Sequence, residues 1–264
     1  MTKLSKGTAL ITGASSGIGA VYADRLAKQG YDLILVARSE DKLNALAVRL
    51  KEETGRNVKT LKADLTNKTD LAKVEGILMT DDSISMLINN AGVGSVATVL
   101  DSDVNEMENM ITLNITALTR LTYAIAPIFA DKNTGTIINI SSVVDIASEF
   151  LNGVYSASKS YVLSFGHRLQ KEFADKKVRI QTVLPGATAT GFWDVAGYAT
   201  MKSAPSTMSA EDCVDAALVG LAQGEMVTIP GLQHYDDWDD WEKGRQALGP
   251  KFSNAKPAGR YGVE

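Results

Sequence analysis

Apolar residues recur along this chain in two alternating rhythms. Short β-rich runs occupy TALIT (8–12), YDLILVA (31–37), NVKTLKA (57–63), SMLIN (85–89), TIINIS (136–141), VRIQTVL (178–184) and MVTIP (226–230). Several are nearly continuous in Val, Ile and Leu, as strands covered on both faces must be. Longer amphipathic stretches lie near 17–29, 39–53, 103–130, 154–174 and 209–223. Alternation of this kind predicts an α/β fold, a doubly wound (Rossmann) sheet of seven mostly parallel strands with helices on both faces.

No linker rich in Pro, Gly or Ser interrupts the series, and no repeat of fixed period is present, so a single domain over 1–264 is expected. Two segments break the rhythm. Residues 191–208 mix aromatics, Gly and Pro without a period and form either a lid over a site or an ordinary surface excursion. Beyond 231 the chain turns polar, with the acidic–aromatic run HYDDWDDWEK, which reads as a solvated tail or a short surface helix.

Composition narrows the function classes. An apolar content of 45% with 22% charged residues suits a soluble globule that buries a core. A net charge of −4 with scattered Lys and Arg gives no surface for nucleic acid. Cys213 is the single cysteine, which excludes an internal disulfide and fits a reducing compartment; a small apolar filler on a helix is its expected role. The start MTKLSKGTALITG has no apolar core of a signal peptide, and no run approaches the ~20 apolar residues of a membrane span. A cytoplasmic protein without a membrane partner is the expectation.

The first chemistry-bearing stretch is LITGASSGIGA (10–20), which leaves the first strand and opens the first helix. Gly13 permits a tight turn, Gly17 lets backbone approach a ligand, and Gly19 lets the helix pack closely. Free N–H groups at a helix N-terminus, with the hydroxyls of Ser15 and Ser16 and the adjoining Ile18, suit a pyrophosphate. GASSG also satisfies G-x-S-x-G, the nucleophile elbow of α/β hydrolases, with Ser15 as nucleophile. Only one strand precedes it, and neither His167 nor His234 stands where a triad needs it, so that alternative is remote.

The second strand ends VARSE, with Arg38 where an acidic residue would grip a ribose. Asp32 lies at the opposite end of the strand. A guanidinium there pairs with a 2′-phosphate through its fork, which favours NADP(H) over NAD(H).

NGVYSASKS (152–160) places Tyr155 and Lys159 four positions apart, with only Ser and Ala between them. YATMK (198–202) carries the same spacing at Tyr198 and Lys202, so the spacing alone decides nothing.

In this order of motifs the chain resembles the short-chain dehydrogenase/reductase family from about residue 8 to 230. The motifs are TGASSGIG (12–19), the acid of ADL (63–65), NNAG (89–92), Asn114 in TLNIT, INISS (138–142), YSASK (155–159) and LPGATAT (184–190). In the family that these motifs resemble, a serine such as Ser142 closes a strand thirteen positions before the tyrosine, and Tyr198 has no such serine. The resemblance implies an NADP(H)-dependent enzyme that exchanges hydride with a small carbonyl or alcohol, without metal. Tyr155 would be the general acid/base, Ser142 would bind the substrate oxygen, Lys159 would hold the nicotinamide ribose, and Asn114 would hold a water. Asp64 and Leu65 would meet adenine, Asn90, Ala91 and Gly92 its ribose, and Pro185, Gly186, Thr188 and Thr190 the carboxamide. On a helix Lys159 would stand over Tyr155 and lower its pKa. The family's members are commonly dimers or tetramers through the helices near 103–130 and 154–174. A dinucleotide-binding sensor with little turnover is the rival within the same fold. Phe192, Trp193 and Tyr198 suggest an apolar substrate pocket, or pack as core.

Overall fold

Seven strands in the computed structural model, which describes residues 5–263, are β1 (Thr8–Thr12), β2 (Asp32–Ala37), β3 (Val58–Lys62), β4 (Ile84–Asn89), β5 (Gly135–Ile140), β6 (Val178–Val183) and β7 (Val227–Thr228). They form one sheet in the order β3-β2-β1-β4-β5-β6-β7, and every neighbouring pair is parallel. The chain winds outward from β1 to one edge, then crosses back to β4 and winds to the other. That reversal opens a crevice at the carboxyl ends of β1 and β4, where doubly wound sheets bind their ligands.

The helices explain why the strands are apolar on both faces. Ala9, Ile11, Leu33 and Leu35 pack with residues of α1 (Gly17–Gln29), α2 (Glu40–Thr54) and a later helix over Ala210–Gln223. Leu10, Ile34, Leu87 and Ile137 point the other way, into a second core with α3 (Lys68–Thr80) and a helix over Leu118–Lys132. Alternate residues of one strand thus serve two cores.

The helix α3 was not anticipated. Apolar residues on more than one side blunt its rhythm, yet Leu71, Val74 and Leu78 are buried and Asn67 caps it by accepting from the amides of Thr69 and Asp70. The predicted stretch 103–130 is three segments: α4 (Val104–Ile111), a π-helical turn Thr112–Ala117, and α5 (Leu118–Lys132). Against expectation, the run from Val104 to Lys132 is long and apolar enough to span a membrane by length and composition; one face of it, with Leu118, Leu121, Ile125 and Phe129, is buried. α6 follows at Gly153–Glu172.

Residues 191–208 contain the five-residue α7 (Phe192–Ala196) and a 3-10 turn, Ala199–Ser203. Their base is pinned where Ala189 N–H donates to Met208 O at 2.8 Å and Met208 N–H to Ala187 O at 2.9 Å. α8 (Ala210–Gln223) leads into β7, which is shorter than predicted: the ladder bonds stop at Thr228, two residues before Pro230, which has no N–H to offer.

One compact unit ends at Pro230 and a second begins at Gly231. The second holds α9 (Tyr235–Leu248), on which the rings of Trp238 and Trp241 stack at 5.0 Å. The acidic–aromatic run is therefore helical.

Candidate active site

α6 carries two of the sequence-predicted residues, Tyr155 and Lys159, in its first two turns. Asn152 caps it, accepting from the amides of Val154 (2.8 Å) and Tyr155 (3.3 Å), and its own Nδ2 ties the helix start to Ala97 O. One turn on, Lys159 Nζ donates to Ile140 O at 2.9 Å and lies 5.8 Å from the centre of the Tyr155 ring. Tyr155 and Lys159 are only 5% and 7% exposed. The small residues between them leave this face of the helix free of bulk.

Ser142 stands at the end of β5 and caps the 3-10 turn Val143–Asp145, accepting weakly from Val144 N–H at 3.4 Å. Asn114 sits in the π-helical turn, a distortion common at functional sites. Its amide clasps the loop after β4, accepting from Val93 N–H at 3.0 Å and donating to Val93 O at 2.9 Å, and it donates to Ser158 Oγ at 3.0 Å.

A cleft of about 1160 Å³ joins these residues to the glycine turn. Its walls include Gly13, Ser15, Ser16, Gly17, Ile18, Arg38, Asp64, Leu65, Asn90, Ala91, Gly92, Ser142, Tyr155, Lys159, Pro185, Gly186, Thr188 and Thr190. Gly19 and Asn114 stand behind the wall. A Cβ on Gly19 would come within 2.5 Å of Asn90 Nδ2 and Gly13 O, so this glycine serves the turn itself and not contact with the sheet. Gly13 has φ +65°, and its Cβ would strike Asn90 and the Ala91 backbone. Asn90 clamps the turn, donating to Thr12 O (2.9 Å) and Gly13 O (3.2 Å).

Other sequence-predicted residues are partly engaged. Asp64 Oδ1 accepts from the Thr66 amide and hydroxyl at 2.9 and 2.7 Å. The second Tyr–Lys copy has no helical geometry: Tyr198 precedes a 3-10 turn and Lys202 pairs with Asp194. Asp32, at the far end of β2, accepts from Asn57 N–H at 2.9 Å.

The structure adds wall residues that sequence reasoning missed. Lys42 lies near Arg38 on the first turn of α2, and among the described residues neither has an ion pair or hydrogen bond. Their spacing, four positions apart at a helix start, was the available signal. At the other end, Val93, Val96, Val144, Phe150 and Leu151 form an apolar lining with Phe192. Nothing in their sequence spacing marks them, since they come from three separate loops. Trp193 is mostly core: it is buried, and its Nε1–H donates to Thr188 O at 2.9 Å.

The electrostatics differ from expectation at one point. Burial in an apolar setting pushes the Tyr155 phenol above its ordinary value, the Ser142 side chain pulls it partly back, and the Asp145 charge raises it again. Burial pushes the Lys159 ammonium down, with Asp145 opposing. The direction is opposite to the acidification expected from Lys159, because a phenolate loses most of its solvation at this depth.

The family model for short chain dehydrogenases matches residues 7–198. The chain belongs to the short-chain dehydrogenase family. Among solved members of the family, a short-chain dehydrogenase from Sphingobium yanoikuyae in complex with NADPH superposes with a TM-score of 0.93 at 46% identity, covering 97% of this chain and 100% of that one. A bulky-bulky ketone specific alcohol dehydrogenase from Comamonas testosteroni superposes with a TM-score of 0.90 at 41% identity, covering 98% and 99%. In sequence, the NADP-dependent 3-hydroxy acid dehydrogenase of Schizosaccharomyces pombe is 33% identical over 241 residues, 87% of this chain and 92% of that protein.

Proposed function

We propose that this short-chain dehydrogenase uses NADP(H) to reduce a carbonyl to an alcohol, or to run the reverse, with Tyr155 as the general acid/base. The observation that carries this reading is one continuous cleft: Ser142, Tyr155 and Lys159 lie along the same walls as the glycine turn and the cations Arg38 and Lys42.

The residues fit the dinucleotide. Ser16 caps α1 without using its hydroxyl on the helix, so the hydroxyl and the first-turn amides remain for a pyrophosphate. Arg38 and Lys42, both unengaged, supply the positive charge that a 2′-phosphate requires. Around Gly186 a Cβ would meet nothing within 4 Å, which leaves backbone open to a ligand. When bound, NADPH supplies hydride.

The chain's own residues manage the proton. Burial keeps Tyr155 protonated, so a proton is present for a carbonyl oxygen; the same shift makes the phenol a weaker acid, and the Ser142 side chain opposes it. Ser142 is placed to hydrogen-bond the substrate oxygen as charge develops there. Lys159, held by Ile140 O, is placed to restore the proton to Tyr155 and to hold the nicotinamide ribose. Asn114 locks the loop after β4 beneath Lys159 and keeps one lone pair of its carbonyl for a water. The apolar lining around Phe150, Leu151 and Phe192 favours a bulky, weakly polar ketone, in keeping with the ketone specificity of the Comamonas enzyme.

The same proposal includes assembly into homodimers or homotetramers through α5 and α6, where exposed Tyr123 stacks on Phe165 at 6.3 Å. It also places the chain in the cytoplasm, where a buried, unbridged Cys213 stays reduced.

The test is NADPH oxidation followed by absorbance against a panel of aryl and alkyl ketones, aldehydes, 3-oxo acids and sugars. Turnover should concentrate among the bulky ketones. Steady absorbance with every compound, despite tight NADPH binding, would favour the sensor instead.

A further inference from the structure

The chemistry above leaves one buried ionisable group without a task. Asp145 ends the 3-10 turn that follows Ser142, and α6 packs against this turn. Its backbone is tied to catalytic elements on both sides: Asp145 N–H donates to Ser142 O at 3.1 Å, and Ser160 Oγ on α6 donates to Asp145 O at 3.4 Å. Both carboxyl oxygens are nonetheless buried and form no hydrogen bond.

A carboxyl group in that position is costly. Burial alone drives it toward its neutral form, and a well-packed apolar or amide side chain would fill the same space with less penalty. Packing therefore does not account for it. The charged and titratable groups that act on it come from α6, and they are Lys159 and Tyr155. At the end of β5 the Ser141 hydroxyl and the Ser142 amide lie close enough to moderate it. Ser141 Oγ is committed elsewhere, donating to Lys159 O at 2.9 Å.

We propose that Asp145 is a positioning residue: its buried carboxylate holds Lys159 as the ammonium and Tyr155 as the phenol. This rests on Tyr155 and Lys159 being the catalytic pair. The two effects have one sign. A negative charge beside Lys159 favours the charged form of an amine that burial would otherwise deprotonate, and the same charge disfavours phenolate. Both push the pair toward the doubly protonated state, which is the state that delivers a proton to a carbonyl oxygen. Asp145 acts through Lys159 and Tyr155 and does not itself line the cleft.

The test reads Lys159 directly. Protein labelled with ¹³C at the lysine Cε carbons is titrated without cofactor, the Lys159 resonance being assigned by its loss in Lys159→Arg. In Asp145→Asn the Lys159 midpoint should fall by about one pH unit, and Asp145→Glu should restore most of it. In parallel, the alkaline limb of kcat/KM for carbonyl reduction should move to lower pH in Asp145→Asn. An unchanged midpoint overturns the proposal. Should Asp145→Asn fail to fold, the unmodified chain still decides: its Lys159 resonance should titrate in two steps, because the neighbouring carboxyl ionises in the same range, and a single step overturns the proposal. A shifted midpoint in a protein that turns over no carbonyl would leave the electrostatic pairing standing and sink the catalytic reading instead.

Discussion

The rings of Tyr155 and Phe192 lie 5.5 Å apart, tilted at 47°. Gly94 makes this possible: a Cβ there would stand 2.3 Å from Phe192 Cζ and 3.2 Å from Tyr155 Cδ2. Phe192 is also held edge-on to Trp193 at 5.2 Å. Its ring, carried on α7, therefore walls the space beside Tyr155.

Phe192→Ala should enlarge that space. The ratio of kcat/KM for bulky over small ketones should rise about tenfold, the scale of a few methylenes in an apolar pocket. Kinetics on a matched ketone series checks this, and a flat ratio would remove Phe192 from the substrate wall.

Tyr155→Phe keeps the ring that packs against Met107, Met110 and Val144 and deletes only the hydroxyl. NADPH affinity, read by fluorescence titration, should stay within about twofold, while turnover falls on the order of 10³-fold. Retained turnover would show that another group moves the proton.

Arg38→Asp should invert cofactor preference. Losing a charge-assisted pair should weaken NADPH binding about 10- to 100-fold, and the new carboxylate should spare or improve NADH binding. Lys42→Ala should weaken NADPH less, since an ammonium lacks the guanidinium fork. Equal NADPH and NADH affinities in the unmodified chain would defeat the assignment.

Asp24 anchors the α1 surface away from the cleft. Burial pushes its carboxyl up, but hydrogen bonds from Lys28, Arg49 and Arg25, at 2.8, 3.0 and 2.8 Å, hold it below the ordinary carboxylate range. A depressed carboxyl stabilises the fold above its unfolded pKa, near 3.9, and loses that contribution as pH falls through the folded value. Asp24→Asn should therefore cost about 2 kcal/mol at pH 7 and much less in strong acid. Thermal melts across that range read the difference, and a pH-independent loss would refute the charge argument.

How much of this was legible beforehand varies by element. Most strands were marked by nearly continuous apolar runs, as cover on both faces requires. The edge strand β3, VKTLK with Lys59 and Lys62 exposed, was marked only by its short β-rich run. The helix α3 was missed although Leu71, Val74 and Leu78 recur at helical spacing, because apolar Met79 on its exposed side blurs the contrast between its faces. The π-helical turn was invisible, since the sequence around Asn114 reads as ordinary helix and the contacts Asn114 makes there, to Val93 and Ser158, are long-range.

Local chemistry therefore determined the turn at Gly13, the helical spacing of Tyr155 and Lys159, and the cation at Arg38, for each depends on residues a few positions apart. Tertiary structure alone decided which side chains face one another across the cleft. The apolar wall draws on loops after β4, β5 and β6, and Asp145 reaches Lys159's field only because α6 folds back over the turn after Ser142. Burial then reversed the direction expected for Tyr155. Solvation depends on everything packed around a group, and no short stretch of sequence contains that.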